Sequence, residues 1–194
     1  MTTIVMFHSA LGRNRGMDAM AEKLTAAGHH VELPDFYDGK IFTDSSEGTA
    51  YRDSVGFPEL AKRASNAIAD LSGSLVFMGF SLGAAMAQSM GKRDPRAAAA
   101  ILCHAGGVPK QTSWNPEVPL QIHHTVDDPW VVPGEPDRLL TSAAAAGAFG
   151  THYVYPGESH LFADPTHEDY NAELAELMWA RILHFLDHEI QRSM

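Results

Sequence analysis

The sequence predicts an α/β fold: an open, mostly parallel sheet of about six or seven strands with helices on both faces, as one domain over residues 1–194. Three observations carry this expectation. Apolar runs of strand length alternate with helix-period segments along the chain. Most of the runs are apolar at consecutive positions, as in strands buried on both faces of a parallel sheet. The 194 residues suffice for one full hydrophobic core and are few for two.

The strand-length runs are 2–8 (TTIVMFH), 29–33 (HHVEL), 75–80 (LVFMGF), 98–104 (AAAILCH), 120–124 (LQIHH) and 152–155 (HYVY). Between them, Met17, Met20 and Leu24 share one helical face, and Gly28 follows as a stop. Leu60, Ala64, Ile68 and Leu71 repeat at helical spacing before Gly73. Leu174, Met178, Ile182 and Phe185 do so near the C-terminus, and Asp164-Pro165 reads as that helix's cap and first turn. Residues 34–56 lack strong periodicity and read as a long functional loop. In such sheets ligands bind at the carboxyl ends of the strands, so functional residues are expected just after strands.

Composition narrows the function classes. The net charge of −10, from 14 basic and 24 acidic side chains, disfavours nucleic acid as a partner. No apolar run approaches the roughly 20 residues of a membrane span. The N-terminal MTTIVMFHSALG shows neither a basic leader nor a cleavage site, which reads as a cytoplasmic protein. The single cysteine, Cys103, lies in an apolar run and reads as a small buried residue.

Residues 79–83 read Gly79-Phe80-Ser81-Leu82-Gly83, between an apolar strand and the helix former AAMAQSM. G-x-S-x-G in a strand–turn–helix context is the nucleophile elbow of an α/β-hydrolase fold, here without room for a large lid. A serine hydroxyl needs a base, and in this fold the partners follow in the order Ser, Asp or Glu, His. After the strand at 120–124 come Asp127 and Asp128, of which Asp128, in D-P-W-V, is preferred as the acid. After the last strand comes His160, in a turn of small residues. Ser81, Asp128 and His160 are therefore the candidate catalytic residues. The amides of Leu82 and Ala10 are the candidate oxyanion hole. Tyr37, Arg52 and Trp114 are candidate substrate contacts, Arg52 for a carboxylate. The segment 106–119 is a candidate cleft wall.

Several segments together resemble the dienelactone hydrolase family: V-x-F-H-S-A-L-G at the start, L-P-D-F-Y at 33–37, G-F-S-L-G-A at 79–84, D-D-P-W-V at 127–131 and Y-P-G-x-x-H-L-F at 155–162. The resemblance covers nearly the whole chain. It implies an α/β-hydrolase acting on lactones and small esters, with no cofactor. Members of that family carry cysteine in G-x-C-x-G, where this chain has Ser81. They also carry a thiol-modulating glutamate near the position of Ser9. A serine paired with histidine does not need that glutamate, so general ester or lactone hydrolysis is the implied activity.

Two rival classes stand beside this reading. Eleven histidines invite a metal hydrolase. Yet His29-His30 and His123-His124 are adjacent in strands and point to opposite faces, and His184 and His188, four apart on a helix, lack an H-E-x-x-H signature. No metal is therefore expected. A non-catalytic binding protein of the same fold is the other rival, disfavoured by the presence of all three triad candidates. Thioesterase or peptidase chemistry would use the same three residues. The oligomeric state is not encoded in any of these signals.

Overall fold

The computed structural model describes residues 3–105, 114–188 and 190. In chain order the elements are β1 (Thr3–Phe7), α1 (Arg15–Ala26), β2 (His30–Glu32), α2 (Ser45–Val55), α3 (Phe57–Ala67), β3 (Leu75–Phe80), α4 (Leu82–Arg93), β4 (Ala97–Cys103), β5 (Leu120–Thr125), α5 (Glu135–Ala146), β6 (Gly150–Tyr155) and α6 (Ala172–His188). The six strands form one sheet in the order β2-β1-β3-β4-β5-β6, and every neighbouring pair is parallel.

Strand periodicity divides the core into two layers. Val5, Phe7, Leu75 and Phe77 face one side and pack with Leu60, Ala64, Met86 and Leu139 of α3, α4 and α5. Ile4, Met6, Val76 and Met78 face the other and pack with Met17, Met20 and Leu24 of α1 and with Met178, Ile182 and Phe185 of α6. Because both faces are covered, the central strands have no polar face to show, which explains their continuous apolar runs. Phe77 is fully buried in the central strand β3, so truncating it to alanine should cost about 3–5 kcal/mol.

The strand order reverses direction between β1 and β3: β2 lies to one side of β1, and β4, β5 and β6 extend on the other side of β3. The loops that leave β1 and β3 therefore part and open a crevice at their carboxyl ends. Ser9 and Ser81 sit on its two sides.

Two sequence expectations are corrected. The last helix does not start at Asp164-Pro165. It starts at Ala172, where Asn171 accepts from the Leu174 amide through Oδ1 and from the Ala175 amide through its carbonyl. Asp164 is spent elsewhere: Oδ1 accepts from the Thr166 amide in a turn, and Oδ2 accepts from Asn14 Nδ2 at the start of α1. Residues 34–56 are not one long loop, because α2 occupies Ser45–Val55. Asp44 nucleates it by accepting from the Ser46 and Glu47 amides.

Candidate active site

Ser81 stands in the turn between β3 and α4 at φ 54° and ψ −112°, a conformation L-residues rarely adopt. The glycines beside it make the turn feasible. A Cβ on Gly79 would collide with the Gly83 carbonyl, and a Cβ on Gly83 would collide with the Phe7 and His8 carbonyls at the end of β1. The turn is pinned by the Ser81 amide, which donates to the Cys103 carbonyl of β4 at 2.9 Å. Ser81 thus projects from the first turn of α4, where the helix dipole favours negative charge.

His160 follows β6 and reaches back across the sheet edge. Ser81 Oγ–H donates to His160 Nε2 at 2.8 Å. His160 Nδ1–H donates to the carboxylate of Asp128, at 2.9 Å to Oδ1 and 2.8 Å to Oδ2. The Asp128 side chain is fully buried and also accepts from the Trp130 amide at 2.9 Å. Asp127 is exposed, and its amide donates to the Gly157 carbonyl. Of the two aspartates, the structure brings Asp128 to the histidine.

The backbone of the histidine loop is held from below. Asp169 Oδ2 accepts from the amides of His160 (3.0 Å) and Leu161 (3.3 Å). Thr125 Oγ1, at the end of β5, donates to the Ser159 carbonyl at 3.1 Å. That bond ties the strand leading to Asp128 to the loop carrying His160. Asp169 lies nine residues beyond His160 in a stretch without periodicity, so no sequence pattern singles it out.

A pocket of about 50 Å³ opens above Ser81, lined by Ser9, Ala10, Leu82, Arg52, Trp130 and His160 among others. Leu82 is the first residue of α4, so its N–H has no intrahelical acceptor. In the loop after β1, the Leu11 amide is taken by Ser9 Oγ and the Gly12 amide by the Ser9 carbonyl. These bonds fix the loop that presents Ala10 to the pocket. Arg52 reaches the pocket from α2 while paired with Asp53 at 2.7 Å. The Trp130 ring lies 5.8 Å from the His160 ring and forms a wall that the sequence reading did not assign.

Tyr37 and Trp114 are not brought to the pocket. Tyr37 is fully buried, donates to the Gly48 carbonyl at 3.2 Å and packs among Phe36, Phe42 and Tyr51. Burial pushes its hydroxyl pKa up to about 12. Trp114 is buried against Gly91 of α4 and donates from Nε1 to the Val118 carbonyl at 2.6 Å. Both aromatics serve the core, which outweighs the loop-like character of their sequence surroundings. Of the 106–119 segment, 106–113 lies outside the described residues.

Other histidines near the site are structural. His123 is buried between Tyr155 Oη and Gln121 Oε1, each at 2.8 Å, and burial holds its pKa down to about 3. His104 follows β4 at φ 59°, edge-on to Phe162 and 6.2 Å from the His160 ring. Burial first, then the neighbouring His160, keeps it well below the usual imidazole range, so it stays neutral. Burial also pushes the Cys103 thiol up, far from a reactive thiolate. Among the described residues, no group of three or more His, Cys, Asp or Glu side chains is placed to hold a metal ion, and no helix is long and apolar enough to cross a membrane.

Comparison with known proteins places this geometry in a family. The model of the dienelactone hydrolase family matches residues 1–190. No curated protein matches the sequence. Among solved structures, the chain is similar to a dienelactone hydrolase-like promiscuous phosphotriesterase from metagenomic libraries, with TM-score 0.82, 18% identity, and 96% of this chain and 86% of that one covered. It is similar to an α/β-hydrolase enzyme from a Medee basin deep-sea metagenome library, with TM-score 0.70, 12% identity, and 94% and 83% covered. It is also similar to the Bacillus cereus carboxylesterase, with TM-score 0.54, 15% identity, and 94% and 88% covered. At these identities the structures speak for the fold alone. Because the family match runs from residue 1 to residue 190 rather than over the serine motif only, the chain belongs to the dienelactone hydrolase family and is a hydrolase of α/β-hydrolase fold.

Proposed function

We propose that this hydrolase is a serine enzyme that cleaves small carboxylic esters or lactones through an acyl-enzyme. The observation that carries the reading is the unbroken hydrogen-bonded chain from Ser81 Oγ through His160 to Asp128. In the first step Ser81 Oγ attacks the acyl carbon while its proton passes to His160 Nε2. Asp128 keeps the imidazole in the tautomer that accepts this proton and then stabilises the imidazolium. The carbonyl oxygen becomes an oxyanion held by the Leu82 and Ala10 amides. His160 returns the proton to the leaving alkoxide as the C–O bond breaks. A water, deprotonated by His160, then attacks the acyl carbon; the acid leaves and Ser81 recovers its proton. For a lactone, the alkoxide stays on the acyl chain and the product is a hydroxy acid.

The pocket of about 50 Å³ favours a small acyl group with the rest of the substrate in solvent. Arg52 is the group in its lining suited to a substrate carboxylate. The test pairs a fluorophosphonate probe with a short-chain nitrophenyl ester, on the protein and on Ser81→Ala. The probe should label the protein and not the variant. The variant's kcat should fall on the order of 10⁶-fold, as loss of an activated serine does elsewhere. A folded protein that neither reacts with the probe nor turns over the ester overturns the proposal.

A further inference from the structure

A second, larger cavity of about 520 Å³ lies beyond the 126–131 loop. Trp130 lines the Ser81 pocket, whereas Val126, Pro129 and Val131 line this one. Two histidines from neighbouring strands also line it, His124 of β5 and His152 of β6. In the register of these strands His124 pairs with Val154 and His152 with Ile122. The two imidazoles thus stand on a diagonal on one face of the sheet. Their Nε2 atoms are 2.7 Å apart.

The other ring nitrogens decide what that contact is. His124 Nδ1 lies 2.7 Å from the Thr125 carbonyl, which only accepts, so Nδ1 carries a hydrogen and donates. His152 Nδ1 lies 3.0 Å from Asp137 Oδ1 and donates likewise. Each Nε2 is then left with its lone pair, and the two lone pairs point at each other. The two nitrogens thus converge from neighbouring strands on one point, as two ligands of a single cation do. Imidazoles whose far N–H is held by a carbonyl or a carboxylate are arranged as metal-ligating histidines are.

We propose that His124 and His152 form a binding site for a borderline divalent transition metal such as Zn²⁺, with Asp137 orienting His152 from outside and water completing the coordination. Zinc–nitrogen bonds of about 2.0–2.1 Å at tetrahedral angles put the two nitrogens about 3.3 Å apart, so the ring nitrogens, now 2.7 Å apart, must part by about 0.6 Å to admit the metal. Imidazole without hard oxygen ligands selects Zn, Cu or Ni over Mg and Ca. Asp127 and Asp137 line the same cavity and favour a cation there. The site shares no ligand with Ser81 or His160 and does not rest on the proposed ester chemistry.

The test must silence His184 and His188, whose rings lie 4.6 Å apart on α6 and are exposed. Zn²⁺ is titrated calorimetrically at neutral pH into untagged full-length protein carrying His184→Ala and His188→Ala. One saturable site is expected. Adding His152→Ala should abolish it. Adding Asp137→Ala instead should weaken it about 10- to 100-fold, because the carboxylate orients a ligand without being one. Asp137 is a surface side chain, so this variant keeps the fold even where His152→Ala does not. The proposal is overturned by absence of saturable binding, by binding that survives His152→Ala in folded protein, or by an affinity indifferent to Asp137→Ala.

Discussion

The 126–131 loop separates two hollows of very different size. The pocket at Ser81 holds about 50 Å³, and the cavity at the β5–β6 edge holds about 520 Å³. In the small one, a serine, a histidine and an aspartate each point their remaining hydrogen-bonding capacity at the next. In the large one, the convergent groups are two imidazoles that face each other and a carboxylate behind one of them. Under the proposed function, room does not locate the reaction: a directed chain of polar groups beside preorganised amides would, and it would need little space because only the reacting acyl centre has to enter.

Asp128 is the residue to test first, because it belongs to the loop that both hollows share. Asp128→Asn should lower kcat about 10⁴-fold by leaving His160 in the wrong tautomer. The same variant should keep its saturable Zn²⁺ site, since Asp128, although it also lines the larger cavity, is hydrogen-bonded to His160 and not to His124 or His152. Steady-state kinetics and calorimetry on one preparation check both halves. Full turnover would remove Asp128 from the chain, and loss of both activities would mean that the two hollows are not independent.

Asp169 gives a smaller effect confined to the pocket. Its carboxylate accepts from the amides of His160 and Leu161 and faces His167 Nδ1 at 3.7 Å without lining the Ser81 pocket, so it is a positioning residue. Asp169→Ala should let the ring drift and lower kcat by about 10²-fold. KM should hold, because Asp169 is not in the pocket lining. Asp169→Asn keeps an acceptor oxygen and should recover part of the loss. A purely structural role would instead move the unfolding midpoint while leaving kcat of the folded fraction unchanged.

Much of the fold can be read from residues because burial on two faces leaves a plain record. The apolar run 75–80 coincides with β3, Leu75–Phe80, and Gly79 and Gly83 mark the elbow because no side chain fits at either place. The unread parts obey other rules. Helix α2 buries only Gly48 among its residues and is set by the Asp44 cap rather than by an apolar stripe. Helix α5 ends in a run of alanines at 143–146 and buries Pro136, Leu139 and Ala143, too weak a pattern to announce itself. Asp169 and the His124–His152 pair depend on how distant segments align. Adjacency in sequence showed that His123 and His124 cannot share an ion, but it is silent about the neighbour across the β5–β6 register.

The smallest effect concerns the loop that presents Ala10. Asp35 accepts from the Tyr37 amide at 2.8 Å and the Gly39 amide at 2.6 Å, and faces His8 at 3.6 Å. That separation is longer than a hydrogen bond, and His8 Nε2 accepts from the Phe36 amide at 3.4 Å. His8 first, then the two amides, hold the Asp35 carboxyl down to about 2 from an ordinary 3.8. The folded value lies below the unfolded one, so the stabilisation is complete above about pH 4 and is lost as pH falls through about 2. Asp35 is partly exposed, so solvent screening limits the contribution to about 1 kcal/mol or less. Thermal unfolding midpoints of the protein and of Asp35→Asn should therefore differ by a constant small amount down to about pH 4 and converge below it. His8 stacks on Phe36 with ring centroids 3.7 Å apart and hydrogen-bonds the Ser9 carbonyl, so the same contacts brace one wall of the Ser81 pocket. A gap that persists unchanged to pH 2 would mean that Asp35 acts through its shape and hydrogen bonds alone, and that the charge next to the pocket does not stabilise that wall.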